Sequence, residues 1–160
     1  MLVKDQAALD AQEVLDAYWA NGFPVDPVRI AEAMGMTVHA ADLADNISGM
    51  LRVEVDEAPE IFTHIDDVPQ RRAFTVAHEL GHYYERTQRG DRDFNFIDRR
   101  GGTYDVHEFY ADEFAGNLLM PADEVRRALG QGMRLARLAQ HFGVSLPAMK
   151  LRLRRLGLDG

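Results

Sequence analysis

Apolar side chains recur at helical spacing near the start of the chain. Between Gln6 and Trp19 they fall at Ala8, Leu9, Val14, Leu15 and Tyr18, the stripe of an amphipathic helix that ends before Asn21-Gly22. Asp26 followed by Pro27 has the form of a cap and first-turn residue, so Pro27–Met34 is predicted as a second, short helix. The period then changes, and Thr37–His39, Ser48–Val55 and Glu60–His64 read as strands. The second alternates cleanly, with Met50, Arg52 and Glu54 on one face and Leu51, Val53 and Val55 on the other. Three short strands with short links predict a small antiparallel three-stranded sheet.

From Pro69 onward the pattern is helical. Pro69–Tyr84 carries Phe74, Val76, Ala77, Leu80 and Tyr84 along one long helix. Residues 87–106, with Gly90, Gly101-Gly102 and many charges, read as a loop; a loop of that length in a compact domain is usually functional or disordered. Val106–Met120 is a second strong helix, and Pro121 opens a third that runs to about Leu129. Two more helices, Leu135–Phe142 and Leu146–Leu156, flank a Gly143-Val144-Ser145 turn. A sheet followed by helices predicts an α+β fold. The expected organisation is a core over residues 1–120 and a helical, helix-turn-helix-like region over 121–160 packed on it.

Composition narrows the chemistry. The chain has 160 residues, enough for one domain with a real core, and its 46% hydrophobic and 28% charged residues are ordinary for a globular protein. It contains no cysteine, which excludes disulfides, thiolate metal sites and cysteine nucleophiles. Any metal must be held by His, Asp or Glu. No apolar run approaches the roughly 20 residues that span a bilayer, and the start lacks a basic-then-apolar leader, so a cytoplasmic location with no membrane partner is expected. The net charge of −8 is unevenly placed: residues 1–125 carry 10 Lys/Arg against 25 Asp/Glu, and residues 126–160 carry eight against Asp159 alone.

His78-Glu79-Leu80-Gly81-His82 is an H-E-x-x-H pattern on a predicted helix. Residues four apart share a helical face, within about 6 Å at Cβ, so two imidazoles can converge on one cation. Glu79, one position round, can act as general base toward a metal-activated water. A chance match is expected on the order of once in a hundred chains of this composition, so further donors matter. The three-histidine variant is excluded, because Glu85 and Gln88 stand where it needs Gly and His. Glu108 is the best third ligand, with Asp105 and Glu113 as rivals. Asp112, four residues on from Glu108, can accept the free ring N–H of a ligand histidine. His107 and Tyr104 are candidates to line the cleft or stabilise an oxyanion. His39, His64 and His141 are assigned structural roles.

Arg72-Ala-Phe-Thr-Val-Ala-His-Glu-Leu-Gly-His82 and Glu108-Phe-Tyr-Ala-Asp-Glu-Phe-Ala-Gly-Asn-Leu-Leu-Met-Pro121 together resemble the ImmA/IrrE metallo-endopeptidases. The resemblance runs from about Val25 to Leu158 and takes in Ser48-Gly-Met-Leu and Leu138-Ala-Gln-His-Phe-Gly-Val-Ser145. It implies a zincin-like core with one zinc ion per chain on His78, His82 and Glu108, and Glu79 as base. It also implies a substrate, a helix-turn-helix (Xre-type) repressor of a phage or stress response, cut to relieve repression. Asp112 stands where the family often has Asn, and both can accept from an imidazole N–H. Some members carry a further sensory domain, for which these residues leave no room, so sensing is expected to come from elsewhere.

Leu135–Leu156 reads like a helix-turn-helix whose second helix carries Lys150, Arg152, Arg154 and Arg155. That row could neutralise DNA phosphates, although the acidic remainder would repel DNA. Core closure by Leu138, Phe142, Met149 and Leu153, with docking of the repressor on the same surface, is the favoured expectation.

Overall fold

The computed structural model describes residues 1–159. Seven helices and four strands follow in the order α1 (Val3–Tyr18), α2 (Pro27–Ala33), β1 (Thr37–Ala41), β2 (Ile47–Val53), β3 (Glu60–His64), α3 (Pro69–Gln88), β4 (Phe94–Arg99), α4 (Val106–Leu119), α5 (Ala122–Gly130), α6 (Leu135–Phe142) and α7 (Leu146–Arg155) among the described residues. The class is α+β. No helix among these residues is long and apolar enough to cross a membrane.

The sheet differs from the expected one in two ways. It has four strands in the order β1-β3-β2-β4, and β1 pairs parallel to β3. Ile61 and Thr63 of β3 are completely buried, so this strand takes the interior place and the 42–46 link carries the chain past it to β2. The fourth strand comes from the stretch read as loop. Phe94, Phe96 and Asp98 alternate with exposed Asn95, Ile97 and Arg99, and β4 pairs antiparallel with β2 from Val53↔Phe94 to Gly49↔Asp98.

The capping chemistry acts as its sequence indicates. Asp26 accepts from the backbone N–H groups of Val28 (3.0 Å) and Arg29 (3.4 Å) at the start of α2, and Ser145 accepts from that of Ala148 at α7. In α1 the buried stripe is rotated from the expected one. Ala7, Ala11, Val14 and Leu15 face the core, and Leu9 and Tyr18 are exposed. Alanines let α1 lie close to α4, where the Tyr110 hydroxyl donates to Asp10 at 2.6 Å.

Helices α3 and α4 form the centre of the molecule. Residues Val76–His82 of α3 are all buried, as are Phe114, Ala115, Leu118 and Leu119 of α4. Gly81 sets their separation: a Cβ there would lie 3.1 Å from both Ala111 Cα and Phe114 Cβ. Leu138, Phe142, Met149 and Leu153 of the last two helices join the same apolar cluster, as core closure requires.

Candidate metal centre

One face of α3 carries His78 and His82 a turn apart, with their Nε2 atoms 3.1 Å from each other. Glu108, in the first turn of α4, reaches both rings: Oε2 is 2.9 Å from His78 Nε2 and Oε1 is 3.2 Å from His82 Nε2. Asp105 caps α4 by accepting from the Glu108 N–H at 2.9 Å, which fixes the start of the helix and the place of that carboxylate. The expected set of His78, His82 and Glu108 is therefore brought together by the packing of two helices.

A fourth donor, absent from the sequence-based set, completes the cluster. Asp98 of β4 lies 3.3 Å from His78 Nε2 and 3.6 Å from His82 Nε2. The four donor atoms of His78, His82, Asp98 and Glu108 all fall within 4.8 Å of one another. The rivals weighed from sequence go elsewhere: Asp105 is the cap, and Glu113 accepts from Arg155 at 3.1 Å. A signal for Asp98 does exist in its strand, where two Phe at spacing two precede an Asp at the same spacing.

The second partners of the rings fix their chemistry. His78 Nδ1 sits 2.8 Å from Asp112 Oδ1, so the ring donates there and turns its Nε2 lone pair into the cluster. The Tyr104 hydroxyl donates to the other oxygen of Asp112 at 2.8 Å, and Tyr104 also lines the cleft. His82 stacks on Phe96, centroids 4.1 Å apart. His107 does not line the cleft; its Nδ1 faces Glu85 Oε1 at 2.9 Å, which corrects the expectation of a place near the reacting groups. Of the remaining histidines, His39 faces Glu60, His64 is buried beside Asp66, and His141 packs on Phe23 and Phe142.

Glu79 is fully buried, and neither of its carboxylate oxygens has a hydrogen-bond partner. Its chamber is closed by β2, where a Cβ on Gly49 would meet Thr75 Cγ2 at 2.6 Å and Glu79 Oε2 at 3.1 Å. Burial, followed by the adjacent Asp98, pushes the Glu79 carboxyl well above the usual range. Burial would raise Asp98 as well, but the adjacent His78 and His82 imidazoles outweigh it and hold Asp98 low. For His78 burial acts downward, and hydrogen bonds to Asp112, Asp98 and Glu108 outweigh it; His82 is raised in the same way by Asp98 and Glu108.

This donor set fits a borderline divalent cation. Two imidazole nitrogens and two carboxylates converge, and the buried oxygens of Glu79 and Asp98 Oδ2 lack hydrogen-bond partners. The ring environments have two measurable consequences. Raised histidine values mean that protons compete with a metal, so zinc affinity should climb as pH rises through those values, with up to about two protons released. For the metal-free protein the sign is opposite: the stability these histidines contribute is complete below about 6.5, their unfolded value, and is lost as pH rises through the raised ones. Calorimetric zinc titrations in two buffers of different ionisation enthalpy check this, and a pH-independent affinity would contradict it. Separately, Asp112→Ala should weaken zinc binding by about 10–100-fold in a chelator competition assay, because His78 loses the group that orients it.

The cleft beside the cluster has a volume of about 1030 Å³ and extends from His78 and Glu79 past Tyr104 to Leu151 and Arg155 of α7. Helix α7 thus forms a wall of the cleft. Two of its four cations are committed to α4. Arg152 is buried, donating to the Met120 carbonyl at 2.9 Å and Asn117 Oδ1 at 3.0 Å, and burial brings its guanidinium down to about 10. Arg155 donates to Glu113.

The chain is similar in fold to a Mycobacterium tuberculosis transcriptional regulator, with a TM-score of 0.68 and 19% sequence identity. The alignment covers 93% of this chain and 46% of the other, so the chain spans less than half the length of that protein. A comparison with curated proteins returns no significant match. The family described as Peptidase_M78, IrrE N-terminal-like domain, matches residues 31–154, a stretch that contains all four clustered donors, Glu79 and all of α7 but its last residue. The sequence motifs, the α+β fold and that match together establish that the chain belongs to the ImmA/IrrE family of metallopeptidases.

Proposed function

We propose that the protein is a zinc-dependent, site-specific endopeptidase whose substrate is a helix-turn-helix (Xre-type) transcriptional repressor. The observation that carries the reading is the convergence of His78, His82 and Glu108 beside a buried carboxylate, Glu79, that has no hydrogen-bond partner among the described residues. Zinc held by those three residues would supply Lewis acidity to water and to the scissile carbonyl. Glu79, as the carboxylate, takes the proton from the attacking water and returns it to the leaving amine. Asp112 and Tyr104 keep His78 in the ligating tautomer. The cleft, with a volume of about 1030 Å³ and a lining that runs from Glu79 to Arg155, is the candidate seat of the peptide.

The repressor as substrate is supported by the family resemblance and by the apolar and basic wall that α7 gives the cleft. Direct DNA binding through residues 135–156 is disfavoured, because Arg152 and Arg155 are tied to α4 and cannot both reach phosphates. A second reading has one observation in its favour. Four protein donors are the mark of a closed, structural metal site, which would suit a non-catalytic regulator that binds a repressor or DNA. Incubating the metal-loaded protein with the repressor encoded beside it, followed by fragment sequencing, separates the two. The proposed function expects one cut, abolished by chelation. An intact repressor whose binding survives chelation would favour the regulator.

A further inference from the structure

The fourth donor belongs to a strand whose position is itself informative. Strand β3 covers one side of β2, so without β4 the other side of β2 would be a free edge. That edge runs beside the metal cluster: Gly49 abuts Glu79, and the residue paired with Gly49 is Asp98. An extended peptide added to β2 would occupy the same track, in the same way that peptides commonly extend an exposed sheet edge. Strand β4 lies on that track and brings the Asp98 carboxylate into the metal cluster.

The attachment of β4 is local and one-sided. Its inner face is held by Phe96, stacked on His82 and covered by the Arg86 guanidinium at 4.9 Å, and by Asp98. Its outer face is exposed, including Ile97 at 40%. Gly90 and Gly101, with φ of +86° and +71°, flank the strand at conformations that glycine adopts without strain. The pairing is irregular between Ile47 and Gly49, next to Asp98.

Resting on the peptidase reading above, we propose that Asp98 is a fourth protein ligand of the metal and that β4 is a built-in pseudosubstrate strand, which makes the folded chain a latent enzyme. Its substrate is an extended segment of the repressor that pairs with β2 in place of β4. The four-donor cluster is then a resting state of a catalytic site, and the exchange of strands opens the fourth position.

The test uses the full chain loaded with Co2+ or Zn2+ and acetohydroxamate as a small metal-seeking probe. Asp98→Ala should keep one metal per chain, change the Co2+ absorption spectrum, and bind acetohydroxamate about tenfold or more tighter, because a tethered competitor has been removed. Phe96→Ala, which leaves every donor atom in place, should also tighten probe binding and should speed amide exchange over residues 94–99. Equal probe affinity in wild type and both variants, with an unchanged Co2+ spectrum, would overturn the proposal. The two readings fail separately. If Asp98→Ala binds the probe tightly but leaves the repressor whole, the latent site stands and the assigned substrate falls. If wild type and Asp98→Ala cut the repressor equally and bind the probe equally, the peptidase stands and β4 is not its pseudosubstrate.

Discussion

Replacing Glu79 by Gln should leave the chain folded and metal-loaded while slowing repressor cleavage by about 10²–10⁴-fold, the range lost with a general base. The two side chains have the same shape, so the chamber against Gly49 stays filled. Neither oxygen of Glu79 accepts a hydrogen bond from the protein, so no paired donor is orphaned. Burial already favours the neutral carboxyl over the carboxylate, and the amide is neutral at every pH. Stability should therefore change by no more than on the order of 1 kcal/mol. The metal should remain, since the donors around Glu79 are untouched. Single-turnover cleavage with metal analysis of the same sample makes the comparison. A Glu79→Gln enzyme that cuts at the wild-type rate would remove Glu79 from the mechanism.

The second large effect is expected far from any charge. Phe114→Ala should cost about 3–5 kcal/mol, as the loss of a large buried ring usually does. Phe114 is completely buried, its ring 6.0 Å from that of Tyr84 and 6.2 Å from that of Tyr110. It also lies against Gly81, where a Cβ would leave only 3.1 Å to the Phe114 Cβ. A cavity at that point cannot close by a small shift, because Gly81 has no side chain to move into it. Total stabilities of domains are only about 5–15 kcal/mol, so much of the margin would go. The melting temperature should fall by roughly 10 °C. The effect should extend to the metal: α3 supplies His78 and His82, α4 supplies Glu108, and loosening their contact should weaken zinc binding. A thermal melt and a zinc competition on one sample check both. A loss under about 1 kcal/mol would mean that the interface repacks and does not set the site.

Much of the centre was legible because its signals are local. The i, i+4 spacing of His78 and His82 survives in α3, and Asp105, Glu108 and Asp112 take up their places through cap and helix geometry. Strand β3 and helix α6 fall on their expected bounds for the same reason. Helical spacing carries no signal for Asp98, which sits on a six-residue edge strand. The charges around that strand, among them Asp93, Arg99 and Arg100, hide the short alternation of Phe94, Phe96 and Asp98. The parallel pairing of β1 with β3 depends on which strand is most buried, a property of the whole sheet. The face of α7 had a readable signal: Arg152 shares a helical face with buried Met149, so its guanidinium is led toward α4.

The proposed chemistry requires a divalent metal on His78, His82 and Glu108. Metal analysis of the purified chain with X-ray absorption at the zinc edge tests it most directly. One zinc per chain is expected, with two imidazole nitrogens and carboxylate oxygens in its shell, and His82→Ala should abolish stoichiometric binding. A chain that holds no stoichiometric metal, or that keeps it unchanged in His82→Ala, would contradict the account.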